Sequence, residues 1–477
     1  MSNELPAELK SRLEAHGQTH VLRSWNELTL AQRQKLARQI DSLDLDRIAT
    51  LWASRQQTGS QNQLDDLAER ARRATPSASI IRLPRTPQER ADWDRARQTG
   101  EELLRAGRVG ALLVAGGQGT RLGFDKPKGM FAIGPVSHAT LFQILAEQVL
   151  ARSRRAGKPI PYFIMTSDAT HEETVEFFSD RKFFGLPGSD VFFFEQGNMP
   201  AVDAATGKLL LSDKATLSTS PDGHGGMLAA LAKAGLLEEM QRRGIDFLHY
   251  HQVDNPTAIV CDPVFLGFHA EREAEMSIKV VAKRSAGERM GVAVDVDGRT
   301  QIIEYSDLPA EVASKTDERG ELLLWAGSTA IHVFSRSFLD RVAQSDSALP
   351  FHIAHKKVPY CDEQGAHVSP ERENAYKFER FIFDALPAAR RSLVLETDRS
   401  REFNPVKNAT GDDSPQTAAD ALLRLHRGWL QSAGVIVNDQ TPVEISPLFA
   451  LDADELRGKV AQWTCVTEPT YFSPAKA

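Results

Sequence analysis

An α/β fold is predicted for this 477-residue sequence: a mostly parallel sheet with flanking helices, a helical N-terminal region and a small C-terminal domain. Three observations lead there. Strand-like and helix-like patterns alternate from about residue 108. An apolar run at Ala111 to Ala115 breaks into a glycine-rich loop, and two later apolar runs end in Gln196-Gly197 and Asp254-Asn255. Repeated strand-helix-strand units imply parallel pairing with helices covering the sheet. Ligands then gather beyond the carboxyl ends of the strands, where these three polar motifs would meet.

The elements follow in order. Leu9, Leu13, Val21, Leu22 and Trp25 recur at helical intervals, and Thr29 with Gln32 forms a capping box for the next helix. Gln56 to Gln63 and Pro84 to Pro87 read as connectors. Thr140 and Gln143 read as a capping box opening a helix that runs towards Gly157 and Pro159. Tyr162 to Met165 is a strand, followed by a helix capped by Thr170 and Glu173, then a strand at Val191 to Phe194. One helix is expected over about Met227 to Arg243, leading into a strand at Phe247 to Val253. Shorter strands follow at Ser277 to Val281, Gly291 to Val296 and Ile302 to Tyr305, and from about residue 392 no strong periodicity remains. The predicted divisions are 1–95, 96–391 and 392–477.

Composition narrows the function classes. A formal net charge of −7 is unsuited to a nucleic-acid partner, which needs a broad basic surface. No apolar run reaches the length of a membrane span, and the N-terminus lacks a signal-peptide pattern. Cys261, Cys361 and Cys465 are scattered, which fits a reducing compartment. A cytoplasmic protein with no membrane partner is expected, either a monomer or a weak homo-oligomer.

The loop after the first apolar run carries the chemistry. Gly116, Gly117 and Gly119 allow close backbone approach to a ligand, and Arg121, Lys126 and Lys128 add positive charge suited to a phosphate chain. Neither familiar phosphate loop fits. A dinucleotide fingerprint or a Walker A loop begun at Gly117 needs glycine at Leu122, and a Walker A loop begun at Gly123 needs it at Lys128. Asp254 closes the strand Phe247 to Val253, as a Mg²⁺ ligand or as a turn cap. His249 and His251 share a strand face but have no third ligand nearby, so packing is the expected role.

The string Leu112 to Gly129 closely resembles the signature of the eukaryotic-type UDP-N-acetylglucosamine pyrophosphorylases and their UDP-sugar pyrophosphorylase relatives. Val253-Asp254-Asn255, Pro221-Asp-Gly-His-Gly-Gly226, Lys377 to Asp384, Glu402 to Asn408 and Ile445 to Leu448 extend the likeness over almost the whole chain. The resemblance implies a nucleotidyltransferase-type, Rossmann-like sheet. It implies an enzyme joining UTP to a sugar 1-phosphate with release of pyrophosphate, and Mg²⁺ as cofactor. It also implies roles. Arg121 and Lys128 would grip the triphosphate, Asp254 the metal, and Lys407 the sugar phosphate. Gln196 would read uracil, with Gly223, His224 and Asn255 near the nucleotide or sugar. Glu304 and Ser328 would hold sugar hydroxyls, and Phe381 and Phe383 would flank an acetamido group, although their spacing also suits core packing. Two departures affect the sugar: His224 replaces the usual asparagine, and Trp325-Ala-Gly-Ser328 replaces Asn-Ala-Gly-Asn. The resemblance makes an N-acetylhexosamine 1-phosphate the leading substrate, and the altered pocket keeps glucose or galactose 1-phosphate as alternatives. A catalytically silent UDP-sugar binder and a nicotinamide-linked dehydrogenase are the more distant readings.

Overall fold

The computed structural model describes residues 7–58, 61–344 and 349–474, and these pack as two compact units. One comprises Arg70–Glu195, Met227–Ala348 and Ala385–Ala477; the other comprises Met1–Glu69, Gln196–Gly226 and Leu349–Asp384. Neither is a single stretch of chain, so boundaries placed consecutively at 95 and 391 do not coincide with those of the packed units.

The larger unit is organised by one sheet. We label its main strands β1 (Ile80–Ile81), β2 (Val109–Val114), β3 (Tyr162–Thr166), β4 (Val191–Glu195), β5 (Phe247–Gln252), β6 (Met276–Ala282), β7 (Ala326–Ser335) and β8 (Ser392–Glu396). The order across the sheet is β1-β8-β6-β7-β5-β2-β3-β4. All neighbours are parallel except β7, which runs antiparallel to both β6 and β5. The mostly parallel α/β sheet is thus as expected, with one reversed strand. β7, at ten residues, is missing from the sequence reading. Its Ala-Gly-Ser-Thr start lacks the apolar alternation that marks a strand.

The apolar residues of β2 fill both faces. Ala111 and Leu113 pack with residues of the helices Leu141–Ala156, Pro263–Glu271 and Pro415–Ser432, while Leu112 is equally buried on the opposite side. Several expected helix features differ. The span 227–243 is two helices, Met227–Lys233 and Leu236–Arg242, because Gly235 turns left-handed (φ 68°) between them. Thr140 caps its helix by accepting from the Gln143 N–H, but the Gln143 side chain donates to Glu147 instead of closing the box. Thr170 stands before the helix His171–Asp180 without capping it, since its hydroxyl accepts from the Ser167 N–H. Much of the connector expected at Gln56 to Gln63 is helical, with residues 59 and 60 outside the described residues.

The C-terminal segment also departs from its plain sequence. Ser414 and Thr417 form a capping box with Pro415 in the first turn, starting an 18-residue helix. Leu430, Val443, Leu456 and Phe472 then build a small core of their own. In the smaller unit the capping box of Thr29 and Gln32 is present as predicted. Its helices bury Leu13, Leu36 and Ile40 with Val202, Leu209 and Phe378, and Ala375–Glu379 pairs there with His352–Lys356 and with Val202-Asp203.

Candidate active site

In the larger unit the register brings several strand ends to one edge. Gln252 lies opposite Val114, Val114 opposite Met165, and Thr166 opposite Glu195, so β5, β2, β3 and β4 finish together. Antiparallel β7 begins where these end, with Ser328 opposite Val280 near the end of β6, and Val280 is in turn opposite Glu396 of β8. The glycine-rich loop, Asp254, Ser328 and the segment leading to Lys407 all leave from this edge.

Hydrogen bonds shape the glycine-rich loop. The Gly119 N–H donates to the Lys126 carbonyl at 2.9 Å, and the Lys128 N–H donates to the Gly117 carbonyl at 3.0 Å. Gly116 offers its carbonyl to the Ser167 hydroxyl at 2.8 Å. A side chain at Gly119 would collide with Phe124, whereas one at Gly117 would meet open space, so the exposed part of the loop is left bare for a ligand. Arg121 is exposed on this loop. The Lys128 ammonium lies 3.6 Å from the Asp254 carboxylate, and both side chains are 16% exposed.

Lys407 is tied to the same place through its backbone. The neighbouring Val406 N–H donates to the Asp254 carbonyl at 2.8 Å. The Lys407 ammonium stands 5.6 Å from the centre of the Phe403 ring. Asn255, expected to touch substrate, has both ends of its amide taken by the chain. It donates to the Glu402 carbonyl at 2.8 Å and accepts from the Asn404 N–H at 3.2 Å and the Thr257 hydroxyl at 3.0 Å. At 4% exposure it acts as a clamp between the Asp254 turn and the Lys407 segment.

Beneath the clamp lies a network that sequence reasoning missed. Lys279, fully buried on β6, donates to both Asp262 and Glu402, and Glu402 also accepts from the Thr397 hydroxyl and the Ile259 N–H. Burial pushes the Glu402 carboxyl up from its ordinary pKa, opposed by Lys279. The available signal was Lys279 itself, a charge inside an apolar strand that demands a buried acidic partner.

Glu304 follows the strand Arg299–Ile303 and is not within it. A side chain placed on Gly291 would come within 2.9 Å of a Glu304 carboxylate oxygen, and the Gly291 carbonyl accepts from the Ser328 N–H at 2.8 Å. Glu304 and Ser328 therefore share one neighbourhood. The Ser328 hydroxyl accepts from the Ala330 N–H at 3.3 Å. Trp325 is covered by the Arg82 guanidinium, 3.8 Å from the ring centre, and Arg82 also pairs with Glu396.

In the smaller unit, the loop Pro221–Gly226 docks against residues 380–382. The Gly225 N–H donates to the Arg380 carbonyl, the Arg380 N–H donates to the Asp222 carbonyl, and the Arg380 and Asp222 side chains form an ion pair. Gly223 has φ 84° and lies against the Arg380 backbone, which leaves no room for a side chain. The His224 ring stacks on Phe381 at 5.3 Å and lies 5.7 Å from Phe383, and the two phenylalanines stack at 5.1 Å. The Ile382 N–H donates to His224 Nδ1, which leaves Nε2 to carry the imidazole proton. Burial, helped by the charge of His352, pulls the His224 pKa down to about 4. Gln196 is 92% buried directly beyond β4.

His249 and His251 are buried inside the sheet, and the Tyr162 hydroxyl is 3.3 Å from His251 Nε2. Among the described residues no three histidines, cysteines or acids gather as a metal cage. The Asp254 carboxylate at the strand end is the residue at this edge that would hold a Mg²⁺ ion.

Comparison with known proteins gives this edge a family. Residues 62–463 match the family model described as UTP--glucose-1-phosphate uridylyltransferase. The human UDP-N-acetylhexosamine pyrophosphorylase-like protein 1 is 38% identical over 439 residues, covering 90% of this chain and 86% of its own. The Saccharomyces cerevisiae UDP-N-acetylglucosamine pyrophosphorylase is 34% identical over 460 residues, covering 93% and 96%. The solved structure of the Trypanosoma brucei uridine diphosphate N-acetylglucosamine pyrophosphorylase superposes with a TM-score of 0.82 at 26% identity, covering 100% of this chain and 99% of that one. The mostly parallel sheet, the glycine-rich loop at its carboxyl edge and a match over most of the sequence agree: this chain belongs to the UTP–glucose-1-phosphate uridylyltransferase family.

Proposed function

We propose that this protein is a Mg²⁺-dependent uridylyltransferase that forms UDP-N-acetylglucosamine and pyrophosphate from UTP and N-acetylglucosamine 1-phosphate. One observation carries the reading: Lys128 stands 3.6 Å from the Asp254 carboxylate, and the Asp254 carbonyl accepts from the residue beside Lys407. An anion-binding loop, a metal-ready carboxylate and a second lysine are thus tethered at one edge of one sheet.

A phosphate oxygen of the sugar 1-phosphate attacks the α-phosphorus of UTP. The bond from that phosphorus to the bridging oxygen of the β-phosphate breaks, and pyrophosphate leaves with the electron pair. Lys128, Arg121 and the amides of Gly116 and Gly117 hold the triphosphate, Gly119 shapes the loop through its bond to the Lys126 carbonyl, and Lys407 holds the sugar phosphate and the charge that builds on the transferred phosphoryl group. Mg²⁺ on Asp254 would neutralise phosphate charge. No covalent enzyme intermediate is required.

For base and sugar recognition we assign Gln196 to the uracil edge and Gly223 to close backbone approach. Glu304 and Ser328 are assigned to sugar hydroxyls. Phe381 and Phe383 are assigned to the acetamido methyl, with His224 as their stacked neighbour and its Nε2–H as a donor. Trp325, which stands where the family has asparagine, lies under Arg82. Among the described residues no helix is long and apolar enough to cross a membrane. Cytoplasmic residence, a role in amino-sugar metabolism and a monomeric or weakly associating state belong to the same proposal.

The test is pyrophosphate release from UTP and Mg²⁺ with a panel of sugar 1-phosphates. Preference for an N-acetylhexosamine 1-phosphate is expected. Preference for glucose or galactose 1-phosphate would transfer the reading to the unsubstituted sugars, and no turnover would overturn it in favour of a silent binder.

A further inference from the structure

The larger unit holds a cavity of about 160 Å³ away from the glycine-rich loop. It is lined by apolar and aromatic groups, among them Trp93, Ile144, Leu422, Trp429 and Ile445. Arg152, on the helix Leu141–Ala156, also lines it and is only 5% exposed. Its Nε is buried without a hydrogen-bond partner, and no carboxylate stands within ion-pair distance of the guanidinium among the described residues. The charges of Asp262 and Asp452 act on Arg152 without a hydrogen bond to it, and a buried guanidinium nitrogen without an acceptor is costly, so an acceptor from outside the chain is called for.

The carboxylates of the lining do not supply that acceptor, because they are engaged elsewhere. Glu147 bonds Gln143 and Ser446, and Glu444 accepts from the Val136 and Ser137 N–H groups. Asp262 and Glu402 serve Lys279, Asp452 serves Arg155, and Asp398 holds the Ser400 N–H. So many acids around the space repel a polyanion such as pyrophosphate. A single carboxylate matches the geometry of one guanidinium, and the apolar walls suit a body about the size of one ring, since a space of roughly 150 Å³ accommodates benzene.

The walls also reach the catalytic edge. Pro256, Thr257 and Ile259, just after Asp254 and Asn255, face the cavity together with Thr397, Arg401 and Glu402, which lead to Lys407. The Ile259 N–H donates to Glu402 and joins the two segments. We propose that this cavity binds a small organic monocarboxylate with a ring-sized apolar body, that its carboxylate pairs with Arg152, and that occupancy alters turnover. The effect on turnover rests on the uridylyltransferase reading; the binding site does not.

Titration calorimetry of the full chain with benzoate, benzamide and inorganic phosphate decides it. Saturable one-site binding of benzoate is expected, with benzamide and phosphate each weaker by about tenfold or more, as befits a lost charged hydrogen-bonding pair. Arg152→Met should weaken benzoate by a similar factor. Leu425→Trp, which fills the lining while keeping the guanidinium, should abolish binding and serves if Arg152→Met fails to fold. No benzoate binding would mean that the cavity holds water only and would overturn the proposal. Undiminished binding by both variants, or equal binding of benzamide or phosphate, would overturn it as well. Saturating benzoate should change kcat or KM for the sugar phosphate by about twofold or more, a shift typical of weak coupling between sites. Unchanged kinetics would remove the effector role. An enzyme without any turnover would refute the transferase reading, while calorimetry still decides the site.

Discussion

Replacing Asn255 by alanine separates the clamp from the chemistry it serves. The substitution removes the donor to the Glu402 carbonyl and the acceptor for the Asn404 N–H and Thr257 hydroxyl. Each such bond contributes a net ~1 kcal/mol, and partners left buried cost more, so a loss of about 2–4 kcal/mol is expected. That is a sizeable share of the ~5–15 kcal/mol that holds a typical domain together, yet the sheet and its core are untouched. The loss falls on residues 402–407, which stay tied here by the Val406 N–H bond to the Asp254 carbonyl, the Asn404 amide bond to Thr257 and the Glu402 bonds to Ile259 and Lys279, so the segment is loosened and not released. A displacement of ~1 Å in a positioned group costs up to about a hundredfold in rate, so kcat should fall roughly tenfold to a hundredfold. KM for UTP should hold, because the bonds shaping the glycine-rich loop do not involve Asn255. Steady-state pyrophosphate release and the denaturation midpoint are measured side by side. A lowered midpoint with kcat within about threefold of the parent would refute the clamp's role in placing Lys407.

Other perturbations follow from the same geometry. Lys407→Ala should lower kcat by about a hundredfold to a thousandfold, the scale of one lost transition-state donor, with the melting curve nearly unchanged; near-normal turnover would take Lys407 out of the mechanism. Asp254→Asn should raise the Mg²⁺ concentration needed for half-maximal rate, and an unchanged requirement would move the metal to another residue. Acid should destabilise the fold early. His251 and His269 are held by burial at a pKa of about 3, and His426 at about 4, against 6.5 for the free side chain. The unfolded chain therefore takes up protons below pH ~6.5 that the folded chain refuses, and each histidine removes up to ~1.4 kcal/mol per pH unit until its folded pKa is reached. Urea midpoints measured between pH 7 and 4.5 should fall steadily; a flat profile would show that these rings are protonated in the fold.

Much was legible in the chain itself because it rests on local rules. The apolar run from Ala111 and the glycines after it fix a strand and an open loop, and the runs ending at Glu195 and Gln252 make parallel neighbours whose ends must align. Thr29 with Gln32 is a capping box by spacing alone, and the structure contains it. What the sequence could not decide depends on partners far along the chain. Asn255 reads as one more polar residue of a substrate motif until Glu402, about 150 residues away, takes its amide. Lys279 looks misplaced in β6 until Asp262 and Glu402 close around it. β7 is inconspicuous because its first residues are small, and only the gap between β5 and β6 makes them a strand. Arg152 is one of several basic residues on an amphipathic helix until packing buries it and leaves its Nε without an acceptor. Hydrophobic period and turn chemistry act over a few residues and survive in a bare sequence. The pairing of a buried charge or amide is set by which distant segments the fold brings together, and only the tertiary structure holds that information.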